Sequence, residues 1–253
     1  MNLATKKLRQ KILRAAFESQ AGHIPSAFSI LEIIYLLYNN YLSEEDVFVL
    51  SKGHGCLALY AVFLHMGYLT EEEFYSFTRY DSKLGGHPHR GKHPKIYAST
   101  GSLGHGLPIC VGAALAKKIA HAAGKVFCLV GDGECNEGSI WESAMIADNL
   151  KLDNLICIVD DNSSQIRSLP SKGLASKFRS FGWRAIEVAD GHSLTTLALA
   201  LEQARCPAGI PTVLVCKTVK GKGVPEMEEN MFAWHHGPPN EEQYKRFCEG
   251  LSA

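Results

Sequence analysis

Five short runs along the chain are apolar with almost no polar interruption: residues 47–50, 126–130, 155–159, 185–188 and 212–216. A strand with one wet face alternates apolar and polar positions, so unbroken runs of this length predict strands buried on both faces. Helix-length stretches separate them, among them residues 107–123 and 140–150. Strand–helix alternation predicts an α/β fold, a doubly wound and mainly parallel sheet with helices on both faces and right-handed crossovers. Sheets of this type bind ligands beyond the strand ends. Polar and glycine-rich motifs follow directly after these runs: Ser51-Lys52-Gly53-His54, Gly131-Asp132-Gly133 and Asp160-Asp161-Asn162. No repeat, low-complexity tract or Pro/Ser-rich linker breaks the pattern, which predicts one domain over residues 1–253 with a long loop at about 220–239.

Composition narrows the function classes. An apolar fraction of 46% and a charged fraction of 21% are those of an ordinary globular protein. Zero net charge gives no electrostatic footprint for nucleic acid or an anionic membrane surface. No apolar run approaches the roughly 20 residues of a membrane helix. The N-terminus is basic and amphipathic (Lys6, Lys7, Arg9, Lys11, Arg14), but it runs unbroken into the Gly22-His23 motif, leaving no room for a cleavable presequence. The eight cysteines form no CxxC pair and lie mostly in apolar stretches, as buried thiols in a reducing compartment do. The expected location is the cytoplasm.

Gly131-Asp132-Gly133-Glu134 ends one apolar run, and Asn162, thirty residues beyond Asp132, ends the next. One strand–helix–strand unit therefore brings two oxygen ligands to neighbouring strand tips. Mg²⁺ takes few protein oxygens and completes its shell with phosphate oxygens. The glycines allow close backbone approach, and a following helix N-terminus would offer N–H groups to a diphosphate.

The histidines cluster beside glycine and proline in expected loops: Gly22-His23, Gly53-His54, Gly86-His87-Pro88 and His235-His236-Gly237. Imidazole suits proton transfer near neutral pH. His87, His89 and His93 could also be taken as a zinc cluster, but no Cys or acidic residue is spaced to complete it. Thr100-Gly101-Ser102-Leu103-Gly104-His105-Gly106 precedes a small-residue helix; it follows a poor strand and lacks dinucleotide-fingerprint spacing.

GDG followed some thirty residues later by Asn is the thiamine-diphosphate signature, and Gly131-Asp132-Gly133-Glu134-Cys135-Asn136-Glu137-Gly138 resembles its transketolase version. The resemblance runs from about residue 8 to 250, with the motifs in the family's order. It implies the diphosphate-binding domain of that family. Asp132, Asn162 and the backbone carbonyl of Ser164 would hold Mg²⁺, for which Ca²⁺ or Mn²⁺ can substitute. His54, Gly101, Ser102, Leu103, Gly131, Gly133 and Glu134 would contact thiamine diphosphate, the last two through N–H groups. His23, His54, His87 and His236 would bind and protonate donor-sugar oxygens, and Glu137 would sit at a subunit interface near the partner's catalytic glutamate. This chain departs from the family at Ile24-Pro25-Ser26, where a Pro-Gly run is usual, at Ser164, often apolar, and at His105, often Gln.

The resemblance also implies what must come from elsewhere. The pyrimidine-binding and C-terminal domains have no counterpart here, so the expected assembly is an α₂β₂ split transketolase with a C-terminal partner subunit. Its activity would be two-carbon ketol transfer from a ketose or ketose phosphate to an aldose or aldose phosphate. 1-Deoxyxylulose-5-phosphate synthases and 2-oxo-acid decarboxylases share GDG…N but lack this set of GHP and late HG histidines. A non-catalytic regulatory paralogue predicts decayed ligands, whereas the motif residues are intact.

Overall fold

The computed structural model describes residues 2–252. In chain order it runs α1 (Leu3–Ser19), α2 (Ile24–Leu36), β1 (Val47–Leu50), α3 (Cys56–His65), α4 (Glu71–Tyr75) and α5 (Gly106–Ile119). Then come β2 (Val126–Gly131), α6 (Gly138–Asn149), β3 (Leu155–Asp161), α7 (Leu174–Ser180), β4 (Arg184–Val188), α8 (Leu194–Arg205), β5 (Thr212–Lys217), α9 (Pro225–Glu229) and α10 (Glu241–Ser252).

The strands form one sheet in the order β1-β2-β3-β5-β4, and every neighbouring pair is parallel. Alternate residues of each buried strand feed two separate cores. Phe127, Leu129, Ile156, Ile158 and Leu214 pack with α1, α2, α3 and α8. Cys128, Val130, Cys157, Val159 and Val215 pack with α5, α6 and α7. The placement of α7 and α8 follows from handedness: the chain passes beyond β5's position to β4 by way of α7, then turns back to β5, so a right-handed return puts α8 on the opposite face. At the sheet edge, β4 is only partly buried, which explains the Arg184 and Glu187 in its run.

Three expectations shift. The helix placed at 107–123 ends at Ile119, because His121 (φ 50°) and Gly124 (φ 92°) take left-handed backbone that stops it. The helix placed at 140–150 begins at Gly138. The loop expected at 220–239 contains α9, started by Pro225 in its first turn. The basic N-terminal segment is α1, whose Leu8, Ile12, Leu13 and Ala16 sit in the core. No helix among the described residues is long and apolar enough to cross a membrane. Cys56, Cys110, Cys128, Cys135, Cys157 and Cys216 are buried free thiols, Cys248 is half-buried and Cys206 is exposed.

Candidate active site

The tips of β2 and β3 lie side by side, with Gly131 paired to Asp160. Asp132 and Asn162 follow and are both buried. Ser164 joins them: its hydroxyl donates to Asp132 Oδ1 at 2.8 Å, and its N–H donates to Asn162 Oδ1 at 3.0 Å. The two side-chain oxygens expected to hold a cation therefore face one residue. Burial, with the charge of Asp160 adding to it, raises the Asp132 carboxyl above its usual range. Its ionised form is one that a nearby cation would stabilise.

Behind this tip is a charge pair that local sequence patterns do not reveal. Lys52 donates to Asp160, both side chains being almost wholly buried. Asp160 also accepts from Ser29 Oγ at 2.7 Å, from Asn162 Nδ2 at 2.7 Å and from Thr218 Oγ1. Burial works against its ionisation, but Lys52 and these hydrogen bonds outweigh it and hold the carboxyl below the usual range. A carboxylate only accepts, so Asn162 must present its amide nitrogen to Asp160. Its oxygen is left facing Ser164 and the Asp132 side.

One group expected to serve the diphosphate is committed within the protein. The Gly133 N–H donates to Asp132 Oδ1 at 2.8 Å. The Glu134 side chain is buried, and its carboxylate accepts from Gly104 N (2.9 Å), Gly131 N (3.2 Å) and Ser51 Oγ. Glu134 thus fastens the 101–106 loop to the tips of β1 and β2. Burial raises its carboxyl above the usual range. A short turn over residues 134–136 separates the GDG tip from α6, so the α-helix N-terminus lies farther along the chain than the motif suggests.

Gly104 (φ 82°) has no space for a side chain, since a Cβ there would stand 2.7 Å from that of Glu137. Glu137 itself is exposed, at the start of α6. Gly101 (φ 145°) packs on His87, whose ring would be 3.1 Å from an added Cβ. Ser102 is exposed and Leu103 half-buried. Beside Gly53 and Gly101, the Thr100 hydroxyl is buried with no hydrogen-bond partner.

The histidine motifs converge from distant parts of the chain. The His23 ring lies 4.6 Å from that of His236, 5.3 Å from that of His54 and 5.9 Å from that of His235. His235 therefore joins the cluster, although the HG pattern singled out only His236; its doubling was the available signal. Burial, helped by the charges of His236 and His235, lowers His23 to about 4. Burial and Lys52 lower His54 to about 2, and burial lowers His87 and His235. Neutral imidazoles are thus available to accept or donate at pH 7. By contrast, His93 is buried between Phe63 and the Tyr68 carbonyl. No group of three or more His, Cys, Asp or Glu poised for a metal occurs among the described residues.

Lys220 was also invisible to sequence patterns. It is buried and reaches His235 Nδ1 at 3.2 Å. Burial and the charge of Lys52 lower its ammonium to about 8, with Asp160 and Asp132 acting in the opposite sense. Lys220 thus brings a buried positive charge to the histidine cluster. An oxygen-only donor set, a buried carboxylate, an adjacent lysine and an unsatisfied hydroxyl fit a divalent cation with a diphosphate.

The fold and this site define a parallel α/β domain whose strand tips suit a metal-bound diphosphate. Residues 2–248 match the family model for the transketolase thiamine diphosphate binding domain, and the chain belongs to the transketolase family. It is 34% identical to an apulose-4-phosphate transketolase subunit of Phocaeicola vulgatus over 100% of this chain and 94% of that one. It is 37% identical to the transketolase of Homo sapiens over 92% of this chain but 39% of that protein. A solved transketolase from Leishmania mexicana superposes with a TM-score of 0.87 at 26% identity, covering 98% of this chain and 41% of that one.

Proposed function

We propose that this chain is the cofactor-holding subunit of a split transketolase. It binds thiamine diphosphate through Mg²⁺ and transfers a two-carbon ketol unit from a ketose to an aldose, sugars or sugar phosphates, together with a pyrimidine-domain subunit in an α₂β₂ assembly. The observation that carries this reading is the meeting of Asp132 and Asn162 on Ser164 at adjacent strand tips. Asp132, Asn162 and the Ser164 carbonyl would hold the cation. Bound thiamine diphosphate supplies the carbon nucleophile that takes up and releases the two-carbon unit.

The chain's own residues do the rest. Lys220 would neutralise an anionic oxygen of the diphosphate. His23, His54, His87 and His236, joined by His235, bind the donor's hydroxyls and exchange protons with its oxygens. Glu137 stands exposed at the start of α6, where a second subunit can reach it. Exposed apolar side chains on the same pair of packed helices support such a partner: Ile109 on α5, and Met145 and Ile146 on α6. The chain covers nearly all of the Phocaeicola relative, whose name makes it one subunit of its enzyme, but only two fifths of the human transketolase, and this contrast supports the split arrangement.

The test is calorimetric titration of thiamine diphosphate with Mg²⁺ into the reconstituted complex, followed by an assay with xylulose 5-phosphate and ribose 5-phosphate. Asp132→Ala is expected to abolish metal-dependent binding. Retained tight binding by that variant, or CO₂ release from pyruvate in place of ketol transfer, would sink the reading.

A further inference from the structure

A buried ionic cluster lies on α1, α2 and the turn after β4, where none of the catalytic motifs fall. Arg9 and Glu32 are both almost fully buried, and the guanidinium grips the carboxylate with two hydrogen bonds, at 2.6 and 2.9 Å. His192 Nδ1 is 3.1 Å from Glu32 Oε2, one of the two oxygens that Arg9 grips. Burial works against ionised Glu32, but the bonds from His192 and Arg9 prevail and hold it at about 2. Burying ions to join separate elements is a poor route to stability, because apolar residues of similar volume do as well or better. A buried network of this kind calls for a role in fixing geometry.

Its free ends show what it fixes. Arg9 Nε donates to the Lys222 carbonyl at 2.7 Å, and His192 Nε2 accepts the Val219 N–H at 2.8 Å. That acceptor role places the ring proton on Nδ1, facing Glu32. Between these anchors, the Gly221 N–H donates to the Pro25 carbonyl at 3.0 Å. Residues 219, 221 and 222 are thus each tied down through the backbone, and Lys220, the residue between them, is turned into the site against His235.

We propose that Arg9, Glu32 and His192 are positioning residues: they form a clasp that holds the 219–222 strap so that Lys220 meets the anionic end of the cofactor. The inference rests on the proposed cofactor site. Without the clasp, the strap keeps its chain connections but loses the bonds that orient the lysine.

His192→Ala and His192→Phe, the second keeping the volume, are compared with the parent chain. Acylation of individual lysines by an amine-selective reagent is followed by mass spectrometry at fixed pH, alongside thermal unfolding. Lys220 should be acylated about fivefold faster in either folded variant, as expected when about 1 kcal/mol of hydrogen bonding no longer opposes opening. Lys52, buried nearby against Asp160 but not part of the clasp, should keep its parental rate. Magnesium-dependent thiamine diphosphate affinity of the reconstituted complex should fall several-fold in step. Parental rates at Lys220 in a folded variant overturn the inference, as does an equal rise at both lysines, which would mark general loosening. Asp132→Ala is titrated in parallel: if it still binds thiamine diphosphate tightly, the cofactor site is wrong, whereas the lysine comparison reports on the clasp alone.

Discussion

Asn162 gives its amide nitrogen to Asp160 at 2.7 Å, and this bond decides which of its atoms faces Asp132. Asp160 itself is fixed by Lys52, Ser29 and Thr218. Outer partners of this kind orient metal ligands, and losing one commonly lowers metal affinity about 10- to 100-fold. Asp160→Asn should produce such a loss in magnesium-dependent thiamine diphosphate binding. It should also strand a buried lysine, at about 3–5 kcal/mol in stability. Adding Lys52→Met should restore most of the stability and none of the affinity. Parental affinity in the double variant, by calorimetry, would show that Asp160 does not orient Asn162.

Ser164 spends its hydroxyl on Asp132 Oδ1, an oxygen of the carboxylate expected to hold the cation. The hydrogen bond therefore supports the metal-free chain and competes with metal. Ser164→Ala should lower the metal-free melting temperature by about 2–4 °C, the equivalent of roughly 1 kcal/mol in a chain of this size. Magnesium-dependent binding should be unchanged or slightly tighter. Weaker binding would mean that the hydroxyl helps to hold the cation.

The strand tips were legible because each signal is local: an apolar run, then Gly-Asp-Gly, then an asparagine one crossover later. The five strands follow for the same reason. The Glu134 side chain had no legible role, because only the folded chain shows three donors converging on its carboxylate. Lys52 and Asp160 are 108 residues apart, and no periodicity links them. Lys220 looked like one lysine among several in a polar loop, because its burial depends on backbone ties to Pro25, Arg9 and His192 from three other elements.

The exposed apolar positions on α5 and α6 bear on assembly. Met145 is 45% exposed and Ile146 50% exposed, neighbouring apolar positions that a partner could cover. Met145→Asp should leave the melting temperature of the isolated chain within about 2 °C, since surface changes usually cost less than about 0.5 kcal/mol. The same variant should fail to co-elute with a pyrimidine-domain partner in size-exclusion chromatography. Normal co-elution would move the interface elsewhere.

Acid should destabilise the chain partly through its histidine cluster, because burial makes the folded rings harder to protonate than the unfolded ones. In the unfolded chain a histidine titrates near about 6.5. In the folded chain His23 is held at about 4 by burial and its histidine neighbours. Above about pH 6.5 the ring is neutral in both states, so its contribution is complete. As the pH falls from about 6.5 toward 4, the unfolded chain takes up a proton that the folded chain refuses, and stability drops. Below about 4 both states carry the proton and the dependence levels off. Glu32 and Asp160 are also ionised below their usual ranges and add their own acid sensitivity, so the parent curve alone assigns nothing. The difference between parent and His23→Gln removes them. Urea unfolding at several pH values should give a variant whose stability falls less steeply, by about one proton, between about pH 6 and 4.5. Parallel curves would mean that His23 titrates like a solvated histidine, and the cluster would then not hold its rings neutral for proton exchange.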